Sequence, residues 1–122
     1  MDRRSRGRIE YHAGLSAEDS IARDYERRGF PVARRRWRGK GGEIDLIARD
    51  GDALIFIEVK KSRDFDTAAQ RLGPRQMARL CQSAEEFLGG EPRGLLTEMR
   101  FDVALVDAQG RHKIVENAFG AA

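Results

Sequence analysis

The chain has 122 residues, enough for one domain with a modest hydrophobic core. Its single cysteine, Cys81, excludes an internal disulfide, and no apolar run approaches the length of a membrane span or signal-peptide core, so a cytoplasmic protein without membrane association is the expectation. The net charge of +3 says little by itself, but the positive charge is 19 Arg against 4 Lys and is clustered.

Residues 1–14 form a polar arm carrying Arg3, Arg4, Arg6 and Arg8, and residues 15–122 read as a single domain without linker or repeat. Ser16 can cap a helix over about 17–28, with Asp19 three residues on and Gly29 as the stop. Glu18, four residues before Ala22 and seven before Tyr25, begins the buried stripe of that helix, a position the helix dipole also favours for an acid.

A strand over 32–38 follows and carries the second basic cluster, Arg34, Arg35, Arg36 and Arg38. Gly39 to Gly42 reads as a flexible connection, since a phosphate-cradling loop would lead into a helix and this one leads into a strand. Residues 43–49 and 53–61 form a hairpin. The stretch from Ser62 to Gly73 is polar and reads as mobile. Pro74 sits at a first helical position, and Met77, Leu80, Cys81, Ala84, Phe87 and Leu88 recur at helical spacing up to Gly89-Gly90. This places Cys81 on the buried stripe as a core residue rather than a nucleophile. A third basic cluster, Arg71, Arg75 and Arg79, lies at the start of that helix.

Residues 99–106 and 113–119 close the chain as two strands around an Ala108-Gln109-Gly110 turn. The resulting α-β-β-β-α-β-β order predicts an α/β fold with a central mixed sheet flanked by helices.

The hairpin carries the chemistry. Ionised carboxylates within apolar strands are costly unless a cation compensates them. Phe56, Glu58 and Lys60 share one face of the second strand, opposite Ile55, Ile57 and Val59; in the first strand Glu43, Asp45 and Ile47 oppose Ile44, Leu46 and Ala48. A two-residue loop at Asp50-Gly51 would pair Asp45 with Phe56, and a four-residue loop would pair it with Glu58. Both put Asp45, Glu58 and Lys60 on one face, whereas a three-residue loop would not. Two carboxylates about 5 Å apart repel by about 3 kcal/mol at an effective dielectric near 20, which calls for a cation. Mg²⁺ is held by such carboxylates with positions left for phosphate, and Lys60 could align water or steady developing charge. The alternative is a surface hairpin whose Glu58 and Lys60 pair with neighbours; Ile47 and Phe56 on the same face argue for a covered one.

The ordered set Glu18-x-x-x-Ala22-x-x-Tyr25, Gly42-Glu43-Ile44-Asp45-Leu46-Ile47-Ala48, Phe56-Ile57-Glu58-Val59-Lys60, Arg100-Phe101-Asp102-Val103 and Asn117-Ala118-Phe119 resembles the bacterial YraN-type uncharacterised family. That family is placed in the restriction-endonuclease-like, PD-(D/E)xK superfamily, beside the archaeal Holliday-junction resolvases. The resemblance implies Glu18, Asp45, Glu58 and Lys60 as catalytic residues. It implies Mg²⁺ or Mn²⁺ held by Asp45, Glu58, Glu18 and the Val59 carbonyl. A homodimer follows by analogy with the resolvases. One departure is Gln76, which follows Pro74-Arg75 where family members commonly carry a basic residue.

The expected function is therefore metal-dependent hydrolysis of phosphodiester bonds in DNA, with branched or structured DNA as the candidate substrate. Arg34, Arg36, Arg38, Lys40, Lys61, Arg75, Gln76 and Arg79 are the candidates for contacting nucleic acid, arginine's planar fork being matched to phosphate. The alternatives are a nucleic-acid-binding protein that retains the fold but does not cut, and an adaptor that binds other proteins. His12 and His112 lack partners at ligand spacing and are assigned to no metal. Trp37 reads as a packing residue and Asp102 as the partner of a basic side chain.

Overall fold

A computed structural model describes residues 17–119. The basic arm, the Ser16 cap and His12 lie outside those residues. Helix α1 (17–27) ends where Gly29 takes φ +92, with Gly29 N donating to Glu26 O and Phe30 N to Tyr25 O at 3.0 and 2.9 Å. These two bonds satisfy carbonyls that a helix terminus otherwise leaves open, as the glycine stop predicts.

The sheet contains β1 (Val32–Gly39), β2 (Gly42–Asp50), β3 (Ala53–Lys61), β4 (Met99–Val106) and β5 (His112–Phe119), ordered β1-β2-β3-β4-β5. All neighbours are antiparallel except β3 and β4. Parallel pairing needs a crossover, and the chain between them supplies helices α2 (Phe65–Gln70) and α3 (Pro74–Leu88) and a short 3₁₀ turn, Gly94–Leu96. The expected mixed α/β fold, a central sheet flanked by helices, is the one found.

The sheet is covered on both faces. On one, Ile21, Ala22 and Tyr25 of α1 pack with Leu46, Ala48, Ile55, Ile57, Ala104 and Val106. On the other, Ala68, Leu72, Leu80, Ala84 and Leu88 from α2, α3 and the turn between them pack with Ile44, Ile47, Leu54, Phe56, Phe101, Val103 and Leu105. Burial on both faces explains why β3 and β4 read as nearly continuous apolar runs instead of alternating ones. Among the described residues no helix is long and apolar enough to cross a membrane.

Three local features differ from expectation. The stretch 62–73 contains α2, six residues long, whose cap is Asp64: its Oδ1 accepts from Thr67 N at 2.7 Å. Six residues are too few for helical periodicity to register. The β2–β3 turn is centred on Gly51-Asp52, since Asp50 pairs with Ala53 and Leu46 with Ile57. Of the open registers, this is the one that sets Asp45 level with Glu58.

Gly39 to Gly42, read as a flexible connection, is instead packed on α3. Lys40 N donates to Glu86 Oε2 at 2.7 Å and Ser83 Oγ to Gly42 O at 2.9 Å. A Cβ on Gly41 would stand 2.4 Å from the Arg79 carbonyl oxygen, so glycine is what permits the approach.

Candidate active site

Glu58 and Lys60 lie two positions apart on β3, so the pleat turns both to one face. Glu58 is 6% exposed, and Lys60 Nζ stands 3.5 Å from its Oε1. Asp45 lies on the neighbouring strand, one step beyond the Leu46–Ile57 pair, and its Oδ2 accepts from Val59 N at 2.8 Å. Val59 thus meets the site through its amide nitrogen. The structure brings together Asp45, Glu58 and Lys60, three of the four residues expected to be catalytic.

The second oxygen of Glu58, Oε2, is buried and has no hydrogen-bond partner among the described residues. Burial, then the hydrogen bond and charge of Asp45, push the Glu58 carboxyl up to about 9, against the opposing effect of Lys60. A proton on Glu58, which this favours, relieves the repulsion between the two carboxylates. A cation placed between the two carboxylates would do the same work electrostatically.

Glu18 stands in the first turn of α1. Burial and the charge of Asp45 raise its carboxyl above the ordinary value, and Arg36 opposes them. Arg36 Nε donates to Glu18 Oε2 at 3.2 Å, while the preceding Arg35 reaches Asp19 Oδ1 through Nη1, also at 3.2 Å. Consecutive side chains on a regular strand point to opposite faces, so both reaching α1 requires a break in β1. Arg36 supplies it with φ 50, a left-handed conformation that disfavours a non-glycine residue by about 1–2 kcal/mol. Glu18 is consequently near Asp45 but held by arginine. Among the described residues no group of three or more His, Cys, Asp or Glu side chains is arranged to hold a metal ion.

The predicted nucleic-acid contacts divide into two sets. Arg36 and Arg38 are ion-paired, Arg38 Nη2 lying 3.7 Å from Glu43 Oε2, and Arg34 Nη1 donates to the Ala33 carbonyl at 3.1 Å. Lys40 sits at the β1–β2 turn, and Lys61 lines a separate cleft beside Ala17 and Ile21. In contrast, Arg75, Gln76 and Arg79 converge with Arg71 on a cleft of about 500 Å³ whose opposite wall is Gly41, Gly42 and Glu43. Among the described residues no acidic side chain pairs with Arg71, Arg75 or Arg79, and the acid on the described cleft wall, Glu43, faces Arg38. The four-residue spacing of these three arginines was the sequence signal for Arg71, which stands outside the list of expected contacts.

The remaining candidates have packing roles. Trp37 meets Phe87 edge-on at 5.2 Å, and Cys81 packs against the core, where burial raises its thiol. His112 Nε2 lies 3.2 Å from Asp24 Oδ2. Asp102 is fully buried and receives Arg100, Asn117 N and the Tyr25 hydroxyl, as expected of a partner to a basic side chain.

Comparison with known proteins gives one consistent result. Residues 17–106 match the model of an uncharacterised protein family, UPF0102. A UPF0102 protein of Ruegeria pomeroyi is 65% identical over 116 residues, covering 95% of this chain and 94% of its own length. One from Cereibacter sphaeroides strain KD131 is 64% identical, covering 94% and 98%, and one from Roseobacter denitrificans is 55% identical, covering 92% and 87%.

Proposed function

The chain belongs to the uncharacterised family UPF0102, and from that membership and its site we propose a divalent-metal-dependent endonuclease of the PD-(D/E)xK kind acting on DNA. The observation that carries the reading is the orphaned, buried Oε2 of Glu58 beside Asp45 and Lys60. Buried polar atoms are nearly always satisfied, and exceptions concentrate where a ligand or ion belongs. Two carboxylates on adjacent strands, one oxygen free, fit a hard cation such as Mg²⁺ or Mn²⁺. Asp45 and Glu58 would hold it, with the Val59 carbonyl and Glu18 as further ligands.

The ion would supply Lewis acidity toward the phosphodiester and a nucleophile at neutral pH. The chain does the rest. Lys60, fixed beside Glu58, places an ammonium where negative charge builds up on the phosphorus oxygens. Arg71, Arg75, Gln76 and Arg79 hold the backbone of the substrate in a cleft whose wall also carries Glu43, an acid paired with Arg38, which favours recognition independent of base sequence. Branched or structured DNA as substrate, a homodimer that addresses two strands, and a cytoplasmic setting belong to the same proposal.

The test is cleavage of a four-way junction and a linear duplex in Mn²⁺. Glu58→Ala and Lys60→Ala should each abolish cutting while leaving binding largely intact, and cutting that survives both substitutions overturns the reading. A second reading, a DNA-binding protein that no longer cuts, is favoured by one observation: Glu18 is engaged by Arg36 and not by the other carboxylates. In that case calorimetry shows no Mn²⁺ binding and every DNA form stays whole.

A further inference from the structure

We propose that Arg36 is a clasp that withholds Glu18 from the cation site formed by Asp45 and Glu58, so that Glu18 becomes a ligand only when the clasp opens. The inference rests on the reading of that site as a metal centre, and it concerns a residue that would otherwise count only as one more phosphate contact.

Three observations carry it. Arg36 is placed by a backbone break: with φ 50 inside β1, it turns to the same side as Arg35, and both meet the first turn of α1. Strained backbone of this kind persists where the surrounding structure holds it, and it clusters at switches and sites. Secondly, the pair is asymmetric. The Arg36 side chain is 42% exposed and that of Glu18 21%, so the guanidinium has a route into water while the carboxylate remains beside Asp45. Lastly, with the clasp closed, the described residues present no group of three metal-binding side chains, although Glu18 stands close enough to Asp45 to feel its charge.

An exposed arginine–carboxylate pair is weak enough to exchange and strong enough to bias ligand choice. Opening it leaves Glu18 beside Asp45, a concentration of negative charge that a divalent ion relieves.

The experiment is Mn²⁺ titration by calorimetry, without DNA, on the wild type, Arg36→Asn, Glu18→Gln and the double variant. Asparagine removes the cation and tolerates positive φ; Arg36→Gly, which adopts that conformation freely, serves as a second variant of the same charge. Arg36→Asn should bind Mn²⁺ at least about threefold more tightly than wild type. The gain should vanish when Glu18→Gln is added, because the liberated carboxylate is gone. Equal affinity of wild type and both Arg36 variants overturns the clasp and leaves the metal-site reading standing. So does a gain that persists in the double variant, which would reflect lost positive charge alone. Absence of Mn²⁺ binding in every form overturns the metal-site reading and the clasp with it.

Discussion

The Tyr25 hydroxyl donates to Asp102 Oδ2 at 2.6 Å, tying α1 to the buried strand β4 through a carboxylate with no solvent exposure. Arg100 and Asn117 N occupy the other positions around Asp102, so every strong acceptor site on it is in use. Tyr25→Phe should therefore destabilise the protein by about 1.5–3 kcal/mol, the range for a hydrogen bond to a charged group, with little change in shape. Urea unfolding followed by circular dichroism measures it. An unchanged midpoint would mean that Arg100 and Asn117 N satisfy Asp102 without the hydroxyl.

Glu58 gives stability a particular pH dependence. Its carboxyl titrates near 4.5 in the unfolded chain and is pushed up to about 9 by burial and Asp45 in the folded one. Below 4.5 both states hold the proton and the Glu58 contribution is undiminished. As pH rises through the window between those values the unfolded chain ionises first, so stability falls by at most about 1.4 kcal/mol per pH unit. Above about 9 the loss is complete. Glu58→Gln should flatten this slope and be more stable than wild type at pH 8, measured as denaturant midpoint against pH. A wild-type profile already flat across the window rules out a buried, proton-holding Glu58.

The cleft arginines should act on nucleic-acid affinity through charge. Arg71→Ala, Arg75→Ala and Arg79→Ala are each expected to weaken DNA binding to a similar extent for all sequences and to lower the slope of log affinity against log salt by about 1. Arg111→Ala is the control, since Arg111 Nε is already bonded to Asp107 Oδ2 at 2.7 Å. Fluorescence anisotropy over a salt series decides it; equal slopes for all four variants would place the nucleic acid elsewhere.

Gly41→Ala should loosen the β1–β2 turn from α3. The added carbon would meet backbone, the Arg79 carbonyl oxygen at 2.4 Å, and Ser83 Oγ at 2.9 Å, so neither flexible rotation nor a small shift relieves it. A destabilisation of about 1–3 kcal/mol is expected, with faster amide exchange at Lys40, whose N–H would leave Glu86. Wild-type exchange at Lys40 in the variant would show that the turn adapts in place.

Most of the fold was legible because its signals are local. Gly29 and Pro74 mark helix ends, the apolar stripe from Met77 to Leu88 repeats at helical spacing, and the hairpin strands announce themselves by β-branched runs between turn residues. Parity drew attention to Asp45, Glu58 and Lys60, but on β2 it fails: Ile44 packs with Ile47 on the α3 side while Leu46 and Ala48 face α1, so the expected grouping of Ile44 with Leu46 and Ala48 does not hold and the alternation breaks at Asp45. What escaped depends on conformations that composition does not encode. Nothing in Arg34-Arg35-Arg36 announces that the third arginine takes a positive φ and turns toward Glu18. The packing of Gly41 against α3 required knowing where that helix lies. The choice between hairpin registers turned on whether Asp50 belongs to the turn or the strand, a one-residue question that turn propensities leave open.

The parallel pairing of β3 with β4 has a kinetic consequence. Asp45 and Glu58 sit on adjacent strands of one hairpin, so a short, rapidly closed segment brings the two carboxylates together while water still surrounds them. The β3–β4 register, with Glu58 level with Val103, forms only after the whole α2–α3 crossover has closed, a contact of high sequence separation that is entropically slow. Contact order alone thus predicts that the acids meet early and are dehydrated late. An ion captured at the hairpin stage by the proposed cation site would ease that dehydration and so act on the order of folding events.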